Sequence, residues 1–155
     1  MADLMRRALE VGWVSAYRFA RSPPRFAGLD DVVFRKPVEV GATCEYVARV
    51  VFAASDGSLR VCVHAYTLEL STGERDMTNE FHLVFDGDAG GRGAGGVAPL
   101  ASSANETSEH GLPPPLPPQV QPETYEEGML YLEGRRRWMR QRELESSGAA
   151  GDASA

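Results

Sequence analysis

Few side chains in this sequence combine the type and the spacing that chemistry requires. Glu10 is the carboxylate inside the first amphipathic segment, LMRRALEVGWVSAYRFA, and is the candidate general base. An ion pair with Arg6 or Arg7, four and three residues before it, is the more ordinary use of such a residue. Asp30 and Asp31 form a carboxylate doublet, but neighbouring strand residues point to opposite faces, so no shared-proton dyad is expected. Asp31 stays a candidate ligand or partner contact. Thr78 and Asn79 open an otherwise apolar strand and could hydrogen-bond a ligand or a partner helix; a strand-end cap would use the same pair. His64 and His82 have no Ser or Cys nucleophile at a recognisable spacing and read as structural. Cys44 and Cys62 lack CxxC spacing, so they read as small buried hydrophobes in a reducing compartment, and no metal is expected.

The net charge of −6 excludes a general nucleic-acid binder, which needs a clustered excess of Lys and Arg. The short run Arg135, Arg136, Arg137 is the densest basic feature. An anionic ligand would therefore need a local basic pocket, for which Arg35, Lys36, Arg135 and Arg136 are the candidates, with solvated surface charge as the alternative. Phe34, on the same strand as Arg35, could line an apolar slot or be core. No apolar run approaches the roughly 20 residues a membrane helix requires. Arg6, Arg7 and Arg18 superficially suggest a targeting peptide, but Asp3 and Glu10 are wrong for one, so no targeting segment is assigned.

The elements that must position these groups are marked by period. Leu4, Ala8, Val11, Ser15 and Phe19 share one helical face, with Asp3 as a possible N-cap, and Pro23 and Pro24 end the segment. Small residues (Ala8, Gly12, Ser15, Ala16) would let a sheet approach closely. Trp13, Val14 and Tyr17 make the other side apolar too, which predicts a helix buried on most sides. From Phe26 the period becomes two, giving strands near 26–36, 42–54, 59–70 and 76–86, with hairpin turns at Ser55-Asp56-Gly57-Ser58 and Ser71-Thr72-Gly73. Residues 1–86 thus form the core of one domain. Residues 87–122, rich in Gly, Ser and Pro, are expected to be a disordered insertion whose proline tract is a stiff linker rather than an SH3 or WW ligand. Tyr125, Met129, Leu132 and Arg136 recur at helical spacing, so 123–145 is expected to be an amphipathic helix of the same domain, followed by a disordered tail at 146–155.

Four segments, LMRRALEVGW (4–13), LDDVVFRKPVEVGATCEYVARVVF (29–52), TNEFHLVF (78–85) and TYEEGMLYLEGRRRW (124–138), resemble the second, C-terminal hotdog domain of the eukaryotic mitochondrial acyl-coenzyme A thioesterase 9 family. The resemblance implies an α+β hotdog fold, a long central helix wrapped by a curved antiparallel sheet. It also implies an acyl-CoA thioesterase, or the C-terminal half of one, that hydrolyses fatty acyl-CoA without a cofactor. In that family the site is split between two hotdogs: an Asn just before the helix of one, an acidic residue on the helix of the other. Here Met1-Ala2-Asp3 stands where the family has a strand, a loop and a glycine pair. The expected sheet is thus short of its N-terminal strand, with an edge that needs a second hotdog domain or a homodimer partner. The alternative is a non-catalytic hotdog that pairs with a catalytic one or binds acyl-CoA. Arg35, Lys36 and the Arg135–Arg137 run become candidate contacts to the CoA phosphates, and an intracellular, mitochondrial location follows from the resemblance alone. A hotdog hydratase would need an Asp-x-Asn-Pro-x-x-His stretch, which this sequence lacks.

Overall fold

The computed structural model describes residues 2–86 and 119–151. Its elements run α1 (Ala2–Ala20), β1 (Arg25–Phe34), β2 (Thr43–Ala53), β3 (Ser58–Leu68), β4 (Arg75–Asp86) and α2 (Tyr125–Gly151). Of the insertion expected at 87–122, residues 87–118 lie outside the described residues, as do residues 152–155 of the expected tail. The strands form one antiparallel sheet in the order β1-β4-β3-β2. Both tight connections are hairpins where expected, with Gly57 and Gly73 at φ of 87° and 72°, a region that favours glycine.

α1 lies on one face of the sheet, against Leu59, Val61, Val63 and Ala65 of β3 and Phe81, Leu83 and Phe85 of β4. The anticipated contact face holds: Ala8 and Ala16 are wholly buried, and Leu4 and Phe19 pack on the core. Gly12 shows why small residues recur there, since a Cβ at this position would stand 2.5 Å from Leu83 Cδ1. Asp3 lies inside the first helical turn rather than capping it, where its charge still favours the helix N-terminus. The helix ends at Arg21, left-handed at φ 59°, whose amide donates to the Tyr17 carbonyl. The expectation of burial on most sides does not hold. Trp13 (38%), Val14 (50%) and Tyr17 (43%) are exposed, because the sheet covers only one face of the helix.

α2 covers the opposite face of the sheet, making three layers. It docks through Tyr131 and Trp138, whose rings lie 5.5 and 5.7 Å from that of Phe52. Gly134 allows the close approach: a Cβ there would lie 3.0 Å from Phe52 Cβ and 3.1 Å from Val51 Cγ2. This corrects the expected apolar face, since Tyr125, Met129 and Leu132 are exposed and the docking face is instead Tyr131, Gly134, Arg137 and Trp138. The helix also runs past 145 to Gly151. Ser146 and Ser147 donate their hydroxyls back to the carbonyls of Glu143 and Leu144 within the helix.

Gly134→Leu raises helix propensity, so any loss comes from the fit against Val51 and Phe52, and urea unfolding should still show a net loss of about 1–3 kcal/mol. At Gly128 an added Cβ would meet nothing within 4 Å, so Gly128→Ala should give the opposite sign, a gain of up to about 1 kcal/mol.

Candidate functional site

The first turns of α1 project over one row of the sheet. Across the strands, Tyr46 pairs with Ala65, Ala65 with Asn79, and Asn79 with Phe34. Tyr46 packs on the core, and its hydroxyl is raised from its ordinary pKa by burial first and then by Cys44, with Arg7 and Asp3 of α1 also close enough to act on it. The N-terminal end of the helix and this row therefore share one region. Its conspicuous group is Asn79, 2% exposed, whose Oδ1 has no hydrogen-bond partner among the described residues. Leaving a buried amide acceptor unpaired costs about 1–3 kcal/mol, so it marks either strain or a ligand position.

Local backbone geometry explains why Asn79 is so placed. In the β3–β4 ladder Ala65 pairs with Asn79 but Tyr66 pairs with Met77, which leaves Thr78 as the extra residue of a bulge. Thr78 donates its hydroxyl to the Ala65 carbonyl at 3.1 Å, and its own carbonyl accepts from the amides of Arg35 and Lys36. The predicted pair thus divides: Thr78 fastens the bulge, and Asn79 is left with a free acceptor. Phe34, 52% exposed at the strand end, adjoins it.

The structure brings Phe34, Arg35, Lys36, Thr78 and Asn79 together and leaves the other candidates elsewhere. Arg35 reaches Glu80 at 3.1 Å and Lys36 reaches Asp76 at 3.0 Å, each keeping about half its side chain in solvent. Glu10 lies on the solvent side of α1 and pairs with Arg6 at 3.0 Å. Arg135 and Arg136 are exposed on α2, away from its docking face. Asp31 is on the sheet face under α2.

That last position overturns the expectation that Asp30 and Asp31 point to opposite faces. The ladder with β4 shifts register between Leu29 and Asp31, so strict alternation fails there. Both carboxylates meet Arg137, Asp30 Oδ2 at 3.6 Å and Asp31 Oδ2 at 3.2 Å, while Glu133 holds the same guanidinium at 2.7 Å. Buried Arg60 adds an ion pair to Asp30 at 3.3 Å and a hydrogen bond to Gln141. Arg137, expected with its two neighbours as a contact to the CoA phosphates, is instead engaged by these carboxylates, and nothing in the sequence separates it from Arg135 and Arg136 except helical phase relative to Gly134. Arg60 was missed in the sequence, because its strand position reads as an ordinary solvent-facing one, yet it is buried. Farther along α1, an open cleft of about 670 Å³ lies between Val14, Arg18 and Phe19, Val50 of β2, and Glu127 and Leu130 of α2.

No family model matches the chain. Acyl-coenzyme A thioesterase 9, mitochondrial, from Bos taurus is 35% identical over 133 residues, 86% of this chain. The chain spans about a quarter of the length of such relatives, 24% of the bovine protein. An acyl-CoA hydrolase from Staphylococcus aureus, solved with butyryl-CoA, CoA and CoA disulfide, superposes with a TM-score of 0.69 at 22% identity, covering 99% of this chain and 82% of that one. A hexameric acyl-CoA thioesterase gives 0.67 at 26% identity, covering 93% and 79%. The fold is therefore the α+β hotdog that the sequence implied, and the chain is homologous to one stretch of the mitochondrial thioesterases 9 and 10.

Replacing Asn79 by Val removes the unpaired acceptor and suits a strand, so thermal and urea unfolding should show stability unchanged or higher. A clear loss of stability would mean that the amide is bonded within the fold and is not a ligand group.

Proposed function

We propose that this homologue of the mitochondrial thioesterases 9 and 10 is one hotdog half of an acyl-CoA thioesterase, hydrolysing fatty acyl-CoA to free acid and CoA at a site completed by a second hotdog. The unpartnered Asn79 Oδ1, buried in the row under the N-terminal turns of α1, is the observation that carries this reading. Helix N-terminal amides favour a developing oxyanion, and an amide oxygen can accept a hydrogen bond from the attacking water. Water adds to the thioester carbonyl carbon and gives a proton to a carboxylate base. The C–S bond then breaks and the departing CoA sulfur leaves as thiol. No cofactor takes part. Glu10, on α1, is the candidate base, serving a site shared with the paired domain. Phe34 would line the acyl path. Arg35 and Lys36, with half-exposed side chains, and the exposed Arg135 and Arg136 are the cations offered to the CoA phosphates.

The location proposed is mitochondrial, after the homologues; among the described residues no helix is long and apolar enough to cross a membrane. A non-catalytic partner domain is the second reading. It is favoured by the engagement of Glu10 with Arg6 on the solvent side of its helix.

The test is CoA-thiol release from short- to long-chain acyl-CoAs by the chain at defined oligomeric state, alone and mixed with a first-domain hotdog. Glu10→Ala should lower kcat by roughly 10²-fold or more, and Asn79→Val should do so without loss of stability. An inert wild type in both settings would leave only the partner-domain reading. Turnover unaffected by either substitution would remove both residues from the mechanism.

A further inference from the structure

A second cluster lies on the other face of the sheet, under α2, and the hydrolysis proposed above does not use it. In the β3–β4 ladder Cys62 pairs with His82 and His64 with Glu80. Four potential metal ligands thus occupy a two-by-two block on one face, because i and i+2 share a side of a strand. Cys62 Sγ is 3.3 Å from His64 Nε2 and 4.0 Å from Glu80 Oε1. One donor atom each from Cys62, His64 and Glu80 falls within 4.8 Å of the other two. His82 Nε2 meets the same Glu80 oxygen at 2.9 Å, and Arg35 takes the other carboxylate oxygen at 3.1 Å.

We propose that Cys62, His64 and Glu80 form a binding site for a zinc-class divalent transition-metal ion, with His82 orienting the Glu80 carboxylate. Zinc bonds of about 2.0–2.3 Å in a tetrahedron place ligand atoms roughly 3.3–3.8 Å apart. The Cys62–His64 separation of 3.3 Å already fits, while Glu80, 4.0 Å from Cys62 and within 4.8 Å of His64, needs to move in by a few tenths of an ångström to about 1 Å. A thiolate, an imidazole and a carboxylate select a borderline metal over Mg²⁺ or Ca²⁺, which prefer all-oxygen sets. One thiolate and one carboxylate also cancel the charge of a divalent ion, which lowers the cost of burying it where Cys62 is 2% and Glu80 9% exposed. His64 is only half-buried and offers the way in. Binding displaces the thiol proton, so the ion converts a buried thiol into a ligand and releases one proton to solvent. Sequence spacing gives no warning of the site. Its two halves are Cys-x-His and Glu-x-His on separate strands, and only the register joins them.

The full chain, purified without metal, is titrated with Zn²⁺ by calorimetry and with Co²⁺ by absorption. One equivalent should bind, the cobalt form should show a thiolate-to-cobalt band in the near ultraviolet, and Tm should climb with the logarithm of free zinc. Cys62→Ser should erase that band and weaken binding at least 100-fold. His82→Ala should keep the band and weaken binding about 10–100-fold, as expected of a group acting through a ligand. His64→Gln, at a half-buried position that leaves the core intact, should abolish tight binding with the fold preserved by circular dichroism. Absence of saturable one-to-one binding in the native chain overturns the proposal. So does binding that survives Cys62→Ser and His64→Gln unchanged.

Discussion

Everything in this domain is set by how closely α1 can lie on the sheet. Ala8, Gly12 and Ala16 present almost no side chain, and at Gly12 a single added carbon would reach 2.5 Å from Leu83. That approach buries Val61, Val63, Phe81 and Phe85 to within 1% of complete exclusion, which on an area basis stabilises each by roughly 1.5–3 kcal/mol. It also brings the positive end of the helix over the strand row that contains Asn79. The packing that holds the fold and the geometry that shapes the candidate site are therefore one contact.

The opposite face of the sheet is solved differently. Arg60, Cys62, Glu80 and His82 are polar or ionisable and buried, and they are paired or clustered rather than interdigitated. Glu80 is held down to about 2, first by the hydrogen bond from His82 and then by that from Arg35 against the opposing effect of burial, whereas burial and the nearby Glu80 push the Cys62 thiol up to about 12. A thiol so raised is not a nucleophile at neutral pH. Arg137 joins α2 to this face through Asp30, Asp31 and Glu133; these carboxylates keep 28–45% of their side-chain surface in solvent, so truncating any one of them should cost little, as for other solvated ion pairs.

Hydrophobic period made the order and ends of α1 and the strands legible, along with both hairpins, because alternation and turn chemistry are local. What failed was non-local. Trp13, Val14 and Tyr17 read as buried because composition does not say how many neighbours a helix has. Tyr125, Met129 and Leu132 read as the docking stripe of α2, yet the face was chosen by Gly134, where close approach outweighed apolar content. Asp30 and Asp31 read as divergent because a register shift leaves no mark in residue type. Phe34, Arg35, Thr78 and Asn79 were recognisable as a group; that Asn79 alone would lack a partner needed the bulge at Thr78.

The polar face under α2 bears on the order in which the chain folds. The bond from Arg137 to Asp31 joins residues 106 positions apart, so α2 docks against a large loop-closure entropy and only after the sheet exists. During synthesis the helix also emerges after all four strands. A greasy surface left waiting for it would be an invitation to aggregation. Apart from Val51 and Phe52, the surface that waits is arginine, glutamate, histidine and cysteine, which is wetted at little cost until the helix arrives, so the second side can close late.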